Sequence, residues 1–201
     1  MDDIGFFRPP RALAAIQART TELNFDMASE PRTGALLQML AASKPGGRFL
    51  ELGTGTGIAT AWILSGMDSA STLISIDTDE QLQAVACEAL CHDARLKLLS
   101  HDGAAFLWRQ PKKSFDLVFA DAIPGKYEAL DEALAIVKPG GYYVIDDLLP
   151  QPNWPEGHAE KVPALIDRLA ADPRFVMLPL VWSSGVVVLV RKSSQEVVPE
   201  L

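Results

Sequence analysis

Cysteine, histidine and positive charge are all scarce in this chain. There are two cysteines and three histidines in 201 residues, and 18 Lys and Arg stand against 26 Asp and Glu, for a formal net charge of −8. Cys87 and Cys91 lie four apart on what reads as one helix face, so no disulfide framework is indicated. The excess of negative charge repels phosphate backbones and anionic lipid, which argues against a nucleic-acid partner. No stretch approaches the roughly 20 apolar residues of a membrane span. Met1-Asp2-Asp3-Ile4 lacks the basic and apolar regions of an export signal. The expectation is a cytoplasmic protein with no membrane partner. No internal repeat or low-complexity segment is present.

Hydrophobic residues make up 48% of the chain, enough to build a core without disulfides or metals. One domain over residues 1–201 is expected, with residues 1–45 as an N-terminal helical cap and 193–201 as a frayed tail. Apolar spacing predicts helices over 9–23 and 32–43. After Lys44-Pro45-Gly46-Gly47, short apolar runs alternate with helix-length segments, the pattern of repeated βαβ units. Strands are expected at 48–52, 72–77, 96–100, 115–121, 141–146, 175–181 and 186–191. Ser183-Ser184-Gly185 would join the last two as a hairpin. The near-continuous hydrophobicity of Phe115-Asp116-Leu117-Val118-Phe119-Ala120 suits a strand covered on both faces. The fold class expected is α/β, a Rossmann-like, doubly wound, seven-stranded sheet with an antiparallel C-terminal hairpin and helices on both faces.

Glu51-Leu52-Gly53-Thr54-Gly55-Thr56-Gly57 follows the first strand and opens a helix. Glycines there let the backbone approach a ligand closely. The spacing is G-x-G-x-G, and Ile58 stands where a dinucleotide fingerprint needs its third glycine, which counts against an NAD-linked oxidoreductase. A Glu51 carboxylate suits the amine of a sulfonium amino acid and would serve a pyrophosphate badly. Asp77 ends the second strand, where an acid can accept hydrogen bonds from two ribose hydroxyls. Together these residues point to S-adenosylmethionine (SAM), with Gly53, Thr54, Gly55, Gly57, Asp77 and Thr78 around it.

With the glycine turn, the acid after the second strand and Pro139-Gly140-Gly141 in view, the chain resembles the class I SAM-dependent methyltransferases. From about residue 24 to 192 it is similar to the cation-dependent O-methyltransferases of the catechol and caffeoyl-CoA type. The resemblance implies that the segment from Asn24 to Pro31 covers the methionine end of the cofactor, with Met27 and Ser29 as contacts. It implies that Asp102, with Gly103 and Ala104, meets the adenine; the alternative role of Asp102 is a helix N-cap. It also implies a metal site of Asp121, Asp146 and Asp147 for Mg²⁺ or another divalent cation. Family relatives are often dimers, so a homodimer is expected on that ground alone.

The chain departs from the family pattern twice. Asp147 stands where the family has asparagine, so the acids would either tighten a divalent ion or repel one another. Pro124 replaces the family's lysine, which acts near the substrate hydroxyl. Lys126, two residues on, is either a solvated helix-start lysine or reaches the site if Pro124-Gly125 reshapes the loop. Asp121 and Lys126 are accordingly the candidate catalytic residues, and Tyr127 is expected to pack.

The acceptor is expected to be a small hydroxylated, catechol-like molecule, under a roof formed by the N-terminal helix and residues 150–155. Trp154 would stack on its ring or anchor the loop, and His158 would be a polar contact or a surface residue. Trp62, Trp108 and Trp182 read as core or sheet-cover residues, and His92 as a helix-end surface residue. The favoured chemistry is O-methylation in which the metal lowers the hydroxyl pKa. The alternatives are a metal-independent methyltransferase, with Asp121 and its neighbours acting directly on the acceptor, and a non-catalytic SAM-binding module.

Overall fold

Seven apolar runs form seven strands of one sheet in the computed structural model, which describes residues 4–193. Beyond residue 193 the expected tail lies outside the described residues. In chain order the main elements are α1 (Leu13–Glu22), α2 (Pro31–Ala42), β1 (Arg48–Leu52), α3 (Ile58–Gly66), β2 (Thr72–Asp77), α4 (Glu80–Leu90), β3 (Leu96–Ser100) and α5 (Gly103–Leu107). There follow β4 (Phe115–Ala120), α6 (Ile123–Lys126), α7 (Leu130–Ile136), β5 (Val137–Ile145), α8 (His158–Ala170), β6 (Phe175–Leu180) and β7 (Val186–Arg191). Among these residues no helix is long and apolar enough to cross a membrane.

The sheet order is β3-β2-β1-β4-β5-β7-β6, with β7 antiparallel to both its neighbours and the other pairings parallel. Alternate side chains of each inner strand enter opposite cores. Phe49, Leu73, Leu117, Phe119 and Val144 pack with α1 to α4, while Leu50, Leu52, Val118, Ala120 and Ile145 pack with α5, α7 and α8. Both faces are covered, which is why β1 and β4 read as almost unbroken apolar runs.

Local chemistry sets the helix starts. Asp79 caps α4, accepting from the backbone N–H groups of Gln81 and Leu82, and Asp102 caps α5 through the N–H of Ala105. Pro31 opens α2, where its missing N–H costs nothing.

Several expectations are corrected. β5 begins at Val137, not 141: Val137 already pairs with Phe115, before a register shift between Phe115 and Leu117. Trp108 is 62% exposed, because the inward positions of the five-residue α5 belong to Ala104 and Leu107; Trp62, by contrast, is buried. Cys87 and Cys91 form a disulfide at the last turn of α4, a local link between residues one turn apart, with Cα atoms separated by 4.7 Å.

Gly57, at φ +91°, joins the turn after β1 to α3, and a Cβ there would lie 2.6 Å from that of Ala86 on α4. Gly57→Ala should therefore combine left-handed strain with overpacking and cost about 2–4 kcal/mol. The midpoint of urea unfolding reads this directly; an unchanged midpoint would mean that the α3–α4 contact yields freely.

Candidate functional site

The strand order reverses between β1 and β4, and a cleft of about 440 Å³ opens at the carboxyl ends of the strands there. That is the crevice in which open α/β sheets bind ligands, and the volume lies within the roughly 300–1,000 Å³ of small-molecule sites. Gly53, Thr54, Gly55, Asp77, Asp79 and Leu82 line its β1–β2 end. Asp121, Lys126, Asp146, Asp147, Trp154 and His158 line its β4–β5 end, and residues 25–30 border both.

At the first end, Gly53 and Gly55 hold φ of +100° and +51°. A Cβ on Gly53 would lie 2.6 Å from the carbonyl oxygen of Asp121, so only glycine lets the two strand ends meet. Asp77 fixes the turn, since its carboxylate accepts from the N–H of Gly55 at 2.8 Å and of Asp79 at 2.9 Å. Each carboxylate oxygen keeps further acceptor capacity toward the cleft.

Beneath the turn lies Glu51, fully buried and absent from the cleft lining. Thr60 and Ser75 both donate to its Oε2, and Ser75 shares a hydrogen bond with Thr54, which accepts from Gln83 Nε2, all of them buried. Among the described residues the Oε1 of Glu51 finds no hydrogen-bond partner. Burial pushes the carboxyl from 4.5 up to about 8, against the pull of the Ser75 and Thr60 hydroxyls. The structure thus makes Glu51 a neutral floor to the turn.

Other sequence candidates divide in the same way. Met27 and Ser29 line the cleft, whereas Gly57, Thr78, Asp102, Gly103 and Ala104 do not. Asp102 is exposed and caps α5; Gly103 and Ala104 are buried, Gly103 against Pro124.

Lys126 is not solvated. Pro124 (ψ 133°) and Gly125 (φ 87°) break the short α6, and the chain closes on itself through Gly125 N–H to the Glu128 carbonyl. Lys126 is thereby buried, and its Nζ sits 3.2 Å from Asp121 Oδ1. Ser29 donates to the other oxygen of Asp121 at 3.2 Å.

Asp146 is also buried and accepts from Ser184 Oγ and from the backbone N–H of Asp147. Burial, aided by the charge of Asp121, raises its carboxyl to about 7. Asp147 has φ +65°, a strained turn for a residue with a side chain. Its Oδ1 accepts from Trp154 Nε1 and its Oδ2 lies 3.6 Å from His158 Nε2. Tyr127, raised to about 12 by burial and by Asp147, reaches His158 Nε2 through its hydroxyl at 3.3 Å.

The three acids expected to hold a metal are therefore committed elsewhere. Asp121 faces the Lys126 ammonium, Asp146 accepts from Ser184 and from the Asp147 N–H, and Asp147 accepts from the Trp154 indole. Among the described residues no three Asp, Glu, His or Cys side chains come together closely enough to hold a metal ion. The donor set does not fit the divalent cation that the resemblance implies.

Several contributors were not legible beforehand. Ser184 reaches Asp146 only because β7 lies beside β5, and Asn153 donates to the Asp26 carbonyl at 2.8 Å, tying the two segments at the cleft mouth. Asp79 and Leu82 enter through the first turn of α4.

A family model described as a methyltransferase domain matches residues 50–148. A protein of Mycolicibacterium vanbaalenii, named as an O-methyltransferase, is 33% identical over 138 residues, 66% of this chain and 61% of that one. The chain thus spans about three fifths of the length of that curated relative. A relative of the same name from Mycobacterium sp. strain KMS is 33% identical over 164 residues, 72% of this chain and 74% of its own. The fold superposes on the O-methyltransferase TomG of Streptomyces achromogenes, crystallised with SAM, with a TM-score of 0.77 and 22% identity over 92% of each chain.

Glu51 yields a prediction in pH. Its folded-state pKa is raised, so the stability it contributes is full below its ordinary 4.5 and is lost as pH rises through about 8. Urea midpoints should fall across that window. Glu51→Gln should flatten the fall, leaving a shallower slope from Asp146; an equally steep slope in the variant would exclude Glu51 as its source.

Proposed function

The chain belongs to the O-methyltransferase family, and we propose that it transfers the methyl group of S-adenosylmethionine to the hydroxyl oxygen of a small acceptor beside Lys126. One observation carries this reading. A glycine turn with its acid, Asp77, shares a single cleft with a buried lysine–carboxylate pair.

The β1–β2 end fits the cofactor. Gly53 and Gly55 leave backbone where side chains would intrude, and Asp77 retains acceptor capacity for ribose hydroxyls. Met27 and Ser29 line the cleft, and in this reading they border the methionine end. When bound, the cofactor supplies a methyl group on a sulfonium, open to in-line displacement. What the chain must do is hold the acceptor oxygen on that line and take its proton.

Asp121 is the proton acceptor in this reading, held by Ser29 and Lys126. The Lys126 ammonium stabilises the negative charge that grows on the acceptor oxygen, a contribution strengthened by exclusion of water. As the oxygen–carbon bond forms and the sulfur–carbon bond breaks, the hydroxyl proton goes to Asp121. No divalent ion is needed, because a cation is already present. The placement of Lys126 thus supports the metal-independent alternative over the metal-assisted one, and its burial speaks against a silent binding module.

Calorimetry should show SAM binding that weakens by about 10- to 100-fold in Asp77→Ala. Lys126→Met should lower kcat by about 10²–10³-fold with little change in SAM affinity. Chelator should leave the rate of the unmodified enzyme unchanged. Absence of SAM binding would overturn the reading, and loss of activity with chelator would restore a metal to the mechanism.

A further inference from the structure

The amino ends of the parallel strands, opposite the cleft, carry a second concavity of contrary charge. An open groove of about 630 Å³ lies there, lined by Lys113, Pro139, Pro173, Arg174, Arg191 and Lys192 among others. We infer that this groove binds a small anion carrying two or more phosphate groups, held between the guanidiniums of Arg174 and Arg191 and the ammoniums of Lys113 and Lys192. The inference is independent of the methyl-transfer reading, because groove and cleft share no residue.

The sheet topology gathers the four cations from three distant segments. Lys113 sits in the turn that enters β4, while Phe175 at the start of β6 pairs with Arg191 at the end of β7. Arg174 and Lys192 flank that pair, the Lys192 N–H donating to the Arg174 carbonyl at 2.9 Å. A net charge of −8 conceals this: four of the 18 Lys and Arg line one groove, and among the described residues no acid lines it.

The arginines are fixed in place. Arg191 is half-buried, and its Nη1 donates to the carbonyls of Ala135 at 3.0 Å and Val137 at 2.8 Å, where α7 passes into β5. Arg174 is gripped by Asp172, through Nε at 2.9 Å and Nη2 at 2.6 Å. Both guanidiniums stand over the Phe175 ring, 5.7 and 6.0 Å from its centre. Burial, and then the charge of Arg174, holds the Arg191 guanidinium below its usual pKa, the mark of like charges brought together.

Little within the chain offsets that repulsion. Among the described residues Arg174 alone of the four has an ion-pair partner, Asp172, and Asp131, the other acid near it, pairs with Arg168 at 2.5 Å. Lys113 is exposed, and Lys192 reaches the Pro173 carbonyl at 3.0 Å. Four cations thus face one acid. A single carboxylate would leave most of this charge unmatched, whereas a diphosphate or longer anion matches it and accepts paired hydrogen bonds from planar guanidiniums. The rest of the chain is more acidic than the whole, so a long polyanion such as RNA would be repelled beyond the groove.

Inorganic phosphate, pyrophosphate and tripolyphosphate are titrated by calorimetry into the protein with and without S-adenosylhomocysteine. Affinity should rise about tenfold with each added phosphate and be the same in both states. Lys113→Gln with Lys192→Gln removes two charges from exposed side chains and should weaken tripolyphosphate binding by about tenfold or more. Arg11→Gln with Lys97→Gln removes the same charge from exposed positions elsewhere and should leave the affinity unchanged. Thermal melting confirms that both variants are folded.

Equal weakening in the two double variants would reduce the effect to overall charge and overturn the inference. So would a flat affinity across the phosphate series, or loss of binding on loading with S-adenosylhomocysteine, which would put the anion in the cleft. A short single-stranded RNA that binds more tightly than tripolyphosphate through the same lysines would assign the groove to nucleic acid instead. None of these results bears on whether SAM binds.

Discussion

The backbone turn after β1 and the backbone turn after β4 pass so close to each other that no side chain fits between them. Gly53 gives way to the carbonyl of Asp121, and the Asp121 N–H in turn donates to the carbonyl of Leu52. This contact sits where the strand order reverses, and everything functional is arranged around it. It sets the glycine turn and Asp77 on one side and presents Asp121 on the other, with one cleft running across both. A larger residue at position 53 would push the two halves apart before it touched any ligand.

Around that contact, charge is handled in two ways. Glu51 is buried and made neutral, with hydroxyl donors satisfying one of its oxygens. Asp121 is paired with a buried lysine instead. The difference follows from what each lies near. A neutral carboxyl under the turn avoids a charge with nothing to balance it, while a charged pair at the cleft gives a field that can act on a molecule bound there.

Much of the fold was legible in the sequence, because strands buried on both faces have no choice but to be apolar, and the turn at 53–57 carries its own glycine signature. What escaped prediction depended on contacts between distant segments or on a broken local rule. Lys126 was ambiguous because four residues of apparent helix hide a kink at Pro124-Gly125, whose effect on side-chain direction cannot be read from spacing. Glu51 was expected at the ligand amine, and its burial depends on Thr60 and Ser75 arriving from two other elements. Asp147 matched a metal-ligand position by pattern, while its left-handed backbone and the indole seven residues on give it a different partner. Ser184 could be connected to the site only after β7 was seen beside β5.

The burial of the Lys126–Asp121 pair sets apart the floor of the cleft from its rim in how each responds to dissolved salt. Mobile ions screen exposed charges over about 8 Å at physiological ionic strength and buried pairs much less. Asp26, Glu30 and Asp79 at the rim are exposed, whereas Lys126 is 4% exposed. Added salt will therefore weaken the field of the rim acids far more than the one between Lys126 and Asp121. Rim and floor of the same cleft thus answer differently to the ionic strength around them.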